Sequence, residues 1–179
     1  MVPTANKIKL NLGARDRQIP GFSGMDCEAH HGVDIVGDIS DLSRFRDGEI
    51  AEIYASHCLE HFPHVKTLSV LKEWARVLAP GGILYVAVPD FRRAIDIYLA
   101  SPNGLENWVI NYVYGDQGYP TAFHYAGFDF HRLSRLLREA GFSDISRVAN
   151  FPIGNLSDCS RIVSTVDGQP VSLNMVAIR

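Results

Sequence analysis

Gly13, Asp26, Asp38, Ser56-His57 and Asp90 each close a short run that reads as a strand, and together they are the residue types a nucleoside site needs. A glycine after the first strand lets the backbone approach a ligand closely. An acidic residue ending the second strand can accept both hydroxyls of a ribose. In an open α/β sheet ligands bind beyond the carboxyl ends of the strands, where the connections diverge to opposite faces. A nucleoside-bearing ligand is therefore expected, although Asp26 and Asp38 would equally serve as caps of local turns.

Histidines supply the second kind of chemistry. His57, His61, His64, His124 and His131, with Asp90, are the candidate general bases, and a positioned base contributes roughly 10²–10⁴ to a rate. His57, at a strand end, is the best placed. His61 would be either a base or a tie to Glu60 or to a backbone carbonyl. The spacing of His57, His61 and His64 would align three metal ligands on one helix face, but Pro63 interrupts that helix and no metal is expected.

These residues need elements to hold them. Lys7 to Gly13 reads as the first strand, followed by a polar turn-forming stretch that ends in Pro20-Gly21. Phe22–Asp26, Val33–Ile39 and Ile50–Ser56 read as further strands. Their links are too short for the helical crossover that parallel strands usually require, so the first crossover reads as truncated. Val65–Leu78 carries Val65, Leu68, Leu71, Trp74, Ala75 and Leu78 on one helical face, and Pro80-Gly81-Gly82 is read as its stop. The continuous apolar run Ile83–Val88 is a central strand covered on both faces.

Phe91–Leu99 reads as a helix with Phe91, Ile95 and Leu99 along a stripe. Residues 101–130 lose periodicity and gather aromatics: Trp108, Tyr112, Tyr114, Tyr119, Phe123, Tyr125 and Phe128. Long irregular segments of this kind are usually functional. Here an acceptor pocket or lid competes with a small satellite core. Leu133, Leu136, Leu137 and Ala140 form the last helical stripe, closed by Gly141, with Arg132, Arg135 and Arg138 on its solvated side. Ile145–Ala149 and Ser172–Ile178 read as closing strands, joined by a loop through Pro152, Gly154 and Gly168-Gln169-Pro170.

Composition narrows the partners. A formal charge of −3 and a pI near 6.1 leave no overall field for a nucleic-acid backbone or an anionic membrane, so a small molecule is the expected partner. Cys27, Cys58 and Cys159 are odd in number and widely spaced, as reduced cytoplasmic thiols would be. No secretory signal or membrane-spanning run is visible. No internal repeat or linker divides the chain, and 1–179 reads as a single domain of α/β class.

Several segments resemble, in order, the motifs of class I S-adenosylmethionine-dependent methyltransferases: Leu10-Asn-Leu-Gly13, Met25-Asp26, Gly37-Asp38-Ile39, Ser56-His-Cys-Leu-Glu-His61, Arg76 to Gly82 with its following strand, and Leu136 to Phe142. The resemblance implies a Rossmann-like, mostly parallel sheet with an antiparallel last strand at Ser172–Ile178 and helices on both faces. S-adenosylmethionine would lie across the ends of the first strands. Gly13 would then face its methionine part, Asp26 its ribose, and Asp38 with Ile39 its adenine; Ser56 and His57 would line the sulfonium. His57, His61 and His124 would be the catalytic candidates.

Family members commonly continue with further glycines where this chain has Ala14 and Arg15. The expected activity is methyl transfer to a small-molecule or sugar-containing acceptor, with oxygen the favoured atom. A non-catalytic binding or assembly module on the same fold is the alternative. A dehydrogenase would require a G-x-G-x-x-G turn that is absent.

Overall fold

A computed structural model of the protein describes residues 8–102, 104, 107–153, 165–166 and 169–179. Its strands are β1 (Ile8–Leu12), β2 (Ser23–Asp26), β3 (Ile35–Val36), β4 (Ile50–Ser56), β5 (Leu78–Pro89), β6 (Ser143–Arg147), the short ribbon β7 (Thr165–Val166) and β8 (Gln169–Pro170), and β9 (Ser172–Ile178). The main sheet has seven strands in the order β3-β2-β1-β4-β5-β9-β6. β1 to β5 pair in parallel, whereas β9 runs antiparallel to both β5 and β6. The antiparallel last strand expected from the sequence is therefore present. The order reverses between β1 and β4, so a crevice opens beyond the ends of those two strands.

One face of the sheet is covered by helices α1 (Thr67–Val77) and α4 (Phe130–Ala140). Leu10, Leu12, Ile53, Leu84, Val86 and Met175 from the strands pack there with Leu71, Trp74, Leu133 and Leu137. Alternation sends Tyr54, Tyr85, Ala87 and Val176 to the opposite face, where Ile19, Phe22, Val148, Phe151 and Ile153 cover them. α2 (Phe91–Ala100) and α3 (Asn107–Tyr114) pack on each other beyond the end of β5, through a small cluster of Ala94, Tyr112 and Val171.

The first crossover is as short as the sequence suggests: β1 and β2 are parallel neighbours with only residues 13–22 between them. Backbone packing does the work a helix would have done. A Cβ on Gly24 would stand 1.8 Å from the Gly32 carbonyl oxygen, and the Gly32 N–H donates to the Arg15 carbonyl at 2.9 Å. Asn11 adds a bond from its amide to the Arg17 carbonyl at 2.9 Å.

Three expectations change. The helix before Pro80-Gly81-Gly82 ends at Val77, and Leu78 already begins β5. The triplet sits inside that strand at a register shift rather than stopping the helix. Phe91, Ile95 and Leu99 are exposed, because α2 packs on α3 and not on the sheet, leaving Ala94 as the residue it buries. The irregular stretch 101–130 contains α3, whose pattern is masked in the sequence by apolar residues on all sides. Cys159, Gly154 and Gly168 lie outside the described residues.

Helix α1 also fixes the loop after β3. Trp74 is fully buried and its indole N–H donates to the Ile39 carbonyl at 2.8 Å. Arg76 donates to the carbonyls of Leu42 and Phe45 at 3.0 and 3.1 Å, while Glu73 accepts the Leu42 N–H at 3.0 Å.

Candidate active site

At the end of β1 the chain turns through Gly13, whose φ is 72°, and its N–H donates to the Met25 carbonyl at 2.9 Å. A Cβ at Gly13 would stand 2.8 Å from the Cβ of Cys58, so the residue serves the close approach of two strand ends as well as any ligand. Arg15 follows with φ 43°, a conformation that favours glycine. The backbone thus keeps a glycine-like turn while carrying a charged side chain.

Asp26, at the end of β2, is buried. Its Oδ2 accepts the Arg15 N–H at 3.1 Å, and its Oδ1 accepts the Glu28 N–H at 3.3 Å and the Cys27 thiol at 3.4 Å. It anchors the loop after β1 and retains acceptor capacity, since a carboxylate offers about four lone-pair sites. Burial is the main reason the Cys27 thiol is pushed up, with the Asp26 carboxylate adding to it.

Asp38 is exposed and closes its own turn, accepting the Ser40 N–H at 2.8 Å and the Ser40 hydroxyl at 2.7 Å. The Ile39 side chain is buried in the core. Gly13, Asp26 and the Asp38 turn still lie at the same edge, because β1, β2 and β3 are consecutive neighbours.

Across the crevice, β4 ends in buried Ser56 and in His57, whose φ is 51°. A single 3-10 turn, Leu59–His61, follows. His57 is held at both ring nitrogens: Nδ1 lies 3.1 Å from Glu60 Oε1 and Nε2 lies 3.0 Å from the Ser172 hydroxyl. Glu60 is fully buried, and its Oε2 has no hydrogen-bond partner among the described residues. Burial alone would raise the Glu60 carboxyl. The hydrogen bond from His57 and the charges of His57, His61 and His124 outweigh it and hold the group below its usual range. An ionised Glu60 fixes the proton of His57 on Nδ1 and leaves Nε2 as the acceptor.

His61 and His124 complete the cluster, with ring centroids 4.9 Å apart. Nδ1 of His61 donates to the Phe123 carbonyl at 3.0 Å, and Nδ1 of His124 to the Tyr112 carbonyl at 3.1 Å. Burial pushes the His124 imidazole down, more strongly than the nearby Glu60 raises it. The N–H groups of Tyr125 and Ala126 both donate to the Glu60 carbonyl, at 2.8 and 3.2 Å, so the segment after α3 is pinned onto the turn after β4. Tyr119 of that segment meets Arg15, its hydroxyl bonded to the guanidinium.

Other candidates stand apart. His64 and His131 are exposed. Asp90 is buried as the N-cap of α2, accepting from the N–H groups of Arg92 and Arg93 and pairing with Arg147 at 2.9 Å. Sequence reasoning had no signal for Ser172, which meets His57 from a strand 115 residues away. Glu60 was visible in the Leu-Glu-His run, though not its role as the centre of three histidines.

The strand order, with its antiparallel last strand, is that of the Rossmann-like methyltransferase fold. Residues 22–86 match the model of a family described as a methyltransferase domain. A methyltransferase from Archaeoglobus fulgidus described as SAM-dependent superposes with a TM-score of 0.61 at 14% identity, over 97% of this chain and 86% of that one. A SAM-dependent methyltransferase from Thermotoga maritima gives 0.57 at 19% identity, over 96% and 81%. The 1,6-didemethyltoxoflavin-N1-methyltransferase of Burkholderia thailandensis, solved with 1,6-didemethyltoxoflavin and S-adenosylhomocysteine, gives 0.57 at 16% identity, over 96% and 70%. No protein of curated function matches the sequence. Among the described residues no helix is long and apolar enough to cross a membrane.

Proposed function

We propose that this protein transfers the methyl group of S-adenosylmethionine to an oxygen of a small-molecule or sugar-containing acceptor, with His57 as the general base. The observation that carries the reading is the Glu60-backed imidazole of His57 at the end of β4, beside the Gly13 turn that ends β1. The Gly13 turn, a buried Asp26 carboxylate with spare lone pairs and the crevice between β1 and β4 suit a ribose-bearing donor. In this reading Gly13 faces the methionine part, Asp26 the ribose, Asp38 and the Ile39 backbone the adenine, and Ser56 the sulfonium.

When bound, S-adenosylmethionine supplies an electrophilic methyl carbon. The acceptor oxygen would take that methyl as the C–S bond breaks, and its proton would pass to Nε2 of His57 in place of the hydrogen bond from Ser172. Glu60 orients the ring and stabilises the imidazolium that results. In this reading the described part of 101–130 forms the acceptor side of the site. There the rings of His61 and His124 stand 4.9 Å apart, while Phe123 and Tyr125, stacked at 6.2 Å, offer flat apolar surface to an acceptor. The thiols of Cys27 and Cys58, outside any disulfide, suit a reducing, cytoplasmic setting.

Calorimetric titration with S-adenosylmethionine and with S-adenosylhomocysteine tests the donor assignment, and both should bind at one site. Absence of heat with either, at high protein concentration, would sink it. The second reading, a non-catalytic module on the same fold, is favoured by the contact of Arg15 with Tyr119, which draws a bulky cation across the loop where relatives of this fold have glycine.

A further inference from the structure

Glu60, His61 and His124 converge in a way that hydrogen bonding within the protein leaves incomplete. One ligand-capable atom from each lies within 4.8 Å of the others. Both histidines donate Nδ1–H to a backbone carbonyl, of Phe123 and of Tyr112, so the lone pair of each is on Nε2. Nε2 of His124 stands 4.0 Å from Glu60 Oε1. The other carboxylate oxygen, Oε2, is buried and has no hydrogen-bond partner among the described residues. Between His124 and Glu60 an acceptor thus faces an acceptor in a buried space, an arrangement that a proton or a cation must resolve. The tie of each Nδ1–H to a fixed acceptor is the outer-shell arrangement that orients metal-binding imidazoles.

We propose that Glu60, His61 and His124 form a binding site for a divalent transition-metal ion of zinc type, with a fourth position left for water or an oxygen ligand. Two imidazoles and one carboxylate are a donor set that zinc accepts with one open position. Ligand atoms around tetrahedral zinc lie about 3.4 Å apart, so the side chains need to close in by an ångström or so. Backbone ties on both sides keep that movement small: Tyr125 and Ala126 are bonded to Glu60, and His61 to Phe123.

The run His57-x-x-Glu60-His61 would place two histidine ligands on a helix. Here the turn is 3-10 and His57 is spent on Glu60 and Ser172, so the second histidine comes from residue 124 instead. The site does not depend on methyl transfer. If the methyl-transfer reading holds as well, a hydroxyl taking the fourth position would lose its proton more readily.

The test is calorimetric titration of the chelator-treated full chain with zinc chloride, beside the variants His61→Gln, His124→Gln and the exposed controls His64→Gln and His131→Gln. One equivalent should bind. Each of the first two variants should weaken binding by on the order of a hundredfold or more, and the controls should not change it. No uptake by the wild type, or affinity unchanged in either ligand variant, would overturn the proposal. If the ligand variants fail to fold, cobalt added to the wild-type chain decides: intense visible bands of tetrahedral cobalt are expected, and their absence overturns the site. Binding of S-adenosylhomocysteine, measured separately, reports on the donor site alone.

Discussion

The guanidinium of Arg15 lies 4.9 Å from the centre of the Tyr119 ring, joining the loop after β1 to the segment after α3 across 104 residues of sequence. The loop after β1 and the segment after α3 are therefore in direct contact, through a residue whose backbone is in a glycine conformation.

Replacing that residue separates two effects. Arg15→Gly should relieve a left-handed backbone worth roughly 1 kcal/mol and lose a cation–π contact of roughly 0.5–1 kcal/mol. Little net change in the thermal midpoint is expected. Donor affinity should rise as the loop opens, read by calorimetry with S-adenosylhomocysteine. Absent binding in both the wild type and the variant would favour the non-catalytic module.

Asp26 and His57 should fail differently. Asp26→Ala removes the ribose acceptor and the anchor of the Arg15 N–H, and should weaken donor binding by roughly ten- to a hundredfold, the worth of a charged hydrogen bond. His57→Ala should leave donor affinity nearly unchanged and slow turnover by about 10²–10⁴. The opposite ordering, in paired binding and single-turnover measurements, would mean the two sides of the crevice have been exchanged.

The helix-free crossover should tolerate no added volume. At Gly24 a Cβ would fall 1.8 Å from the Gly32 carbonyl oxygen. Gly24→Ala should cost about 3 kcal/mol or more, with the β2 edge pushed off β1. At Gly21 nothing lies within 4 Å of the new Cβ, and only its φ of 83° opposes a side chain. Gly21→Ala should cost roughly 1–2 kcal/mol. Urea unfolding of the two variants gives the comparison.

Acid should loosen the loop after β3. The hydrogen bond from Arg76 is the largest cause holding the Glu73 carboxyl below its usual range, and the Leu42 N–H helps. A depressed folded pKa gives stability that is present above the unfolded value, about 4.3, and is lost as pH falls through the lower folded value. Stability of the wild type should therefore drop below about pH 4.3 with a component that Glu73→Gln lacks. Unfolding midpoints across that range measure it, and identical acid limbs would remove Glu73 from the account.

Much of the frame was legible because it rests on short-range patterns. Ile50–Ser56 and the apolar core of β5 announce themselves by composition, and α4 by its leucine stripe and the left-handed Gly141. The short first crossover could be read from the spacing of Gly13, Pro20-Gly21 and Asp26. What misled was local as well: Phe91, Ile95 and Leu99 have helical spacing whether or not anything covers them, and α3 is too evenly apolar to show a face.

By itself the sequence determined the strands, their carboxyl-end polar residues and hence the crevice, because alternation and turn chemistry act over a few residues. Only the tertiary structure decided that Glu60 stands at the centre of His57, His61 and His124, that Ser172 occupies Nε2 of His57, and that Arg15 meets Tyr119. His124, Ser172 and Tyr119 each come from chain segments dozens of residues away from the groups they meet. Burial of one carboxylate among three imidazoles follows from how the sheet and the segment after α3 close on each other, and no spacing in the sequence records it.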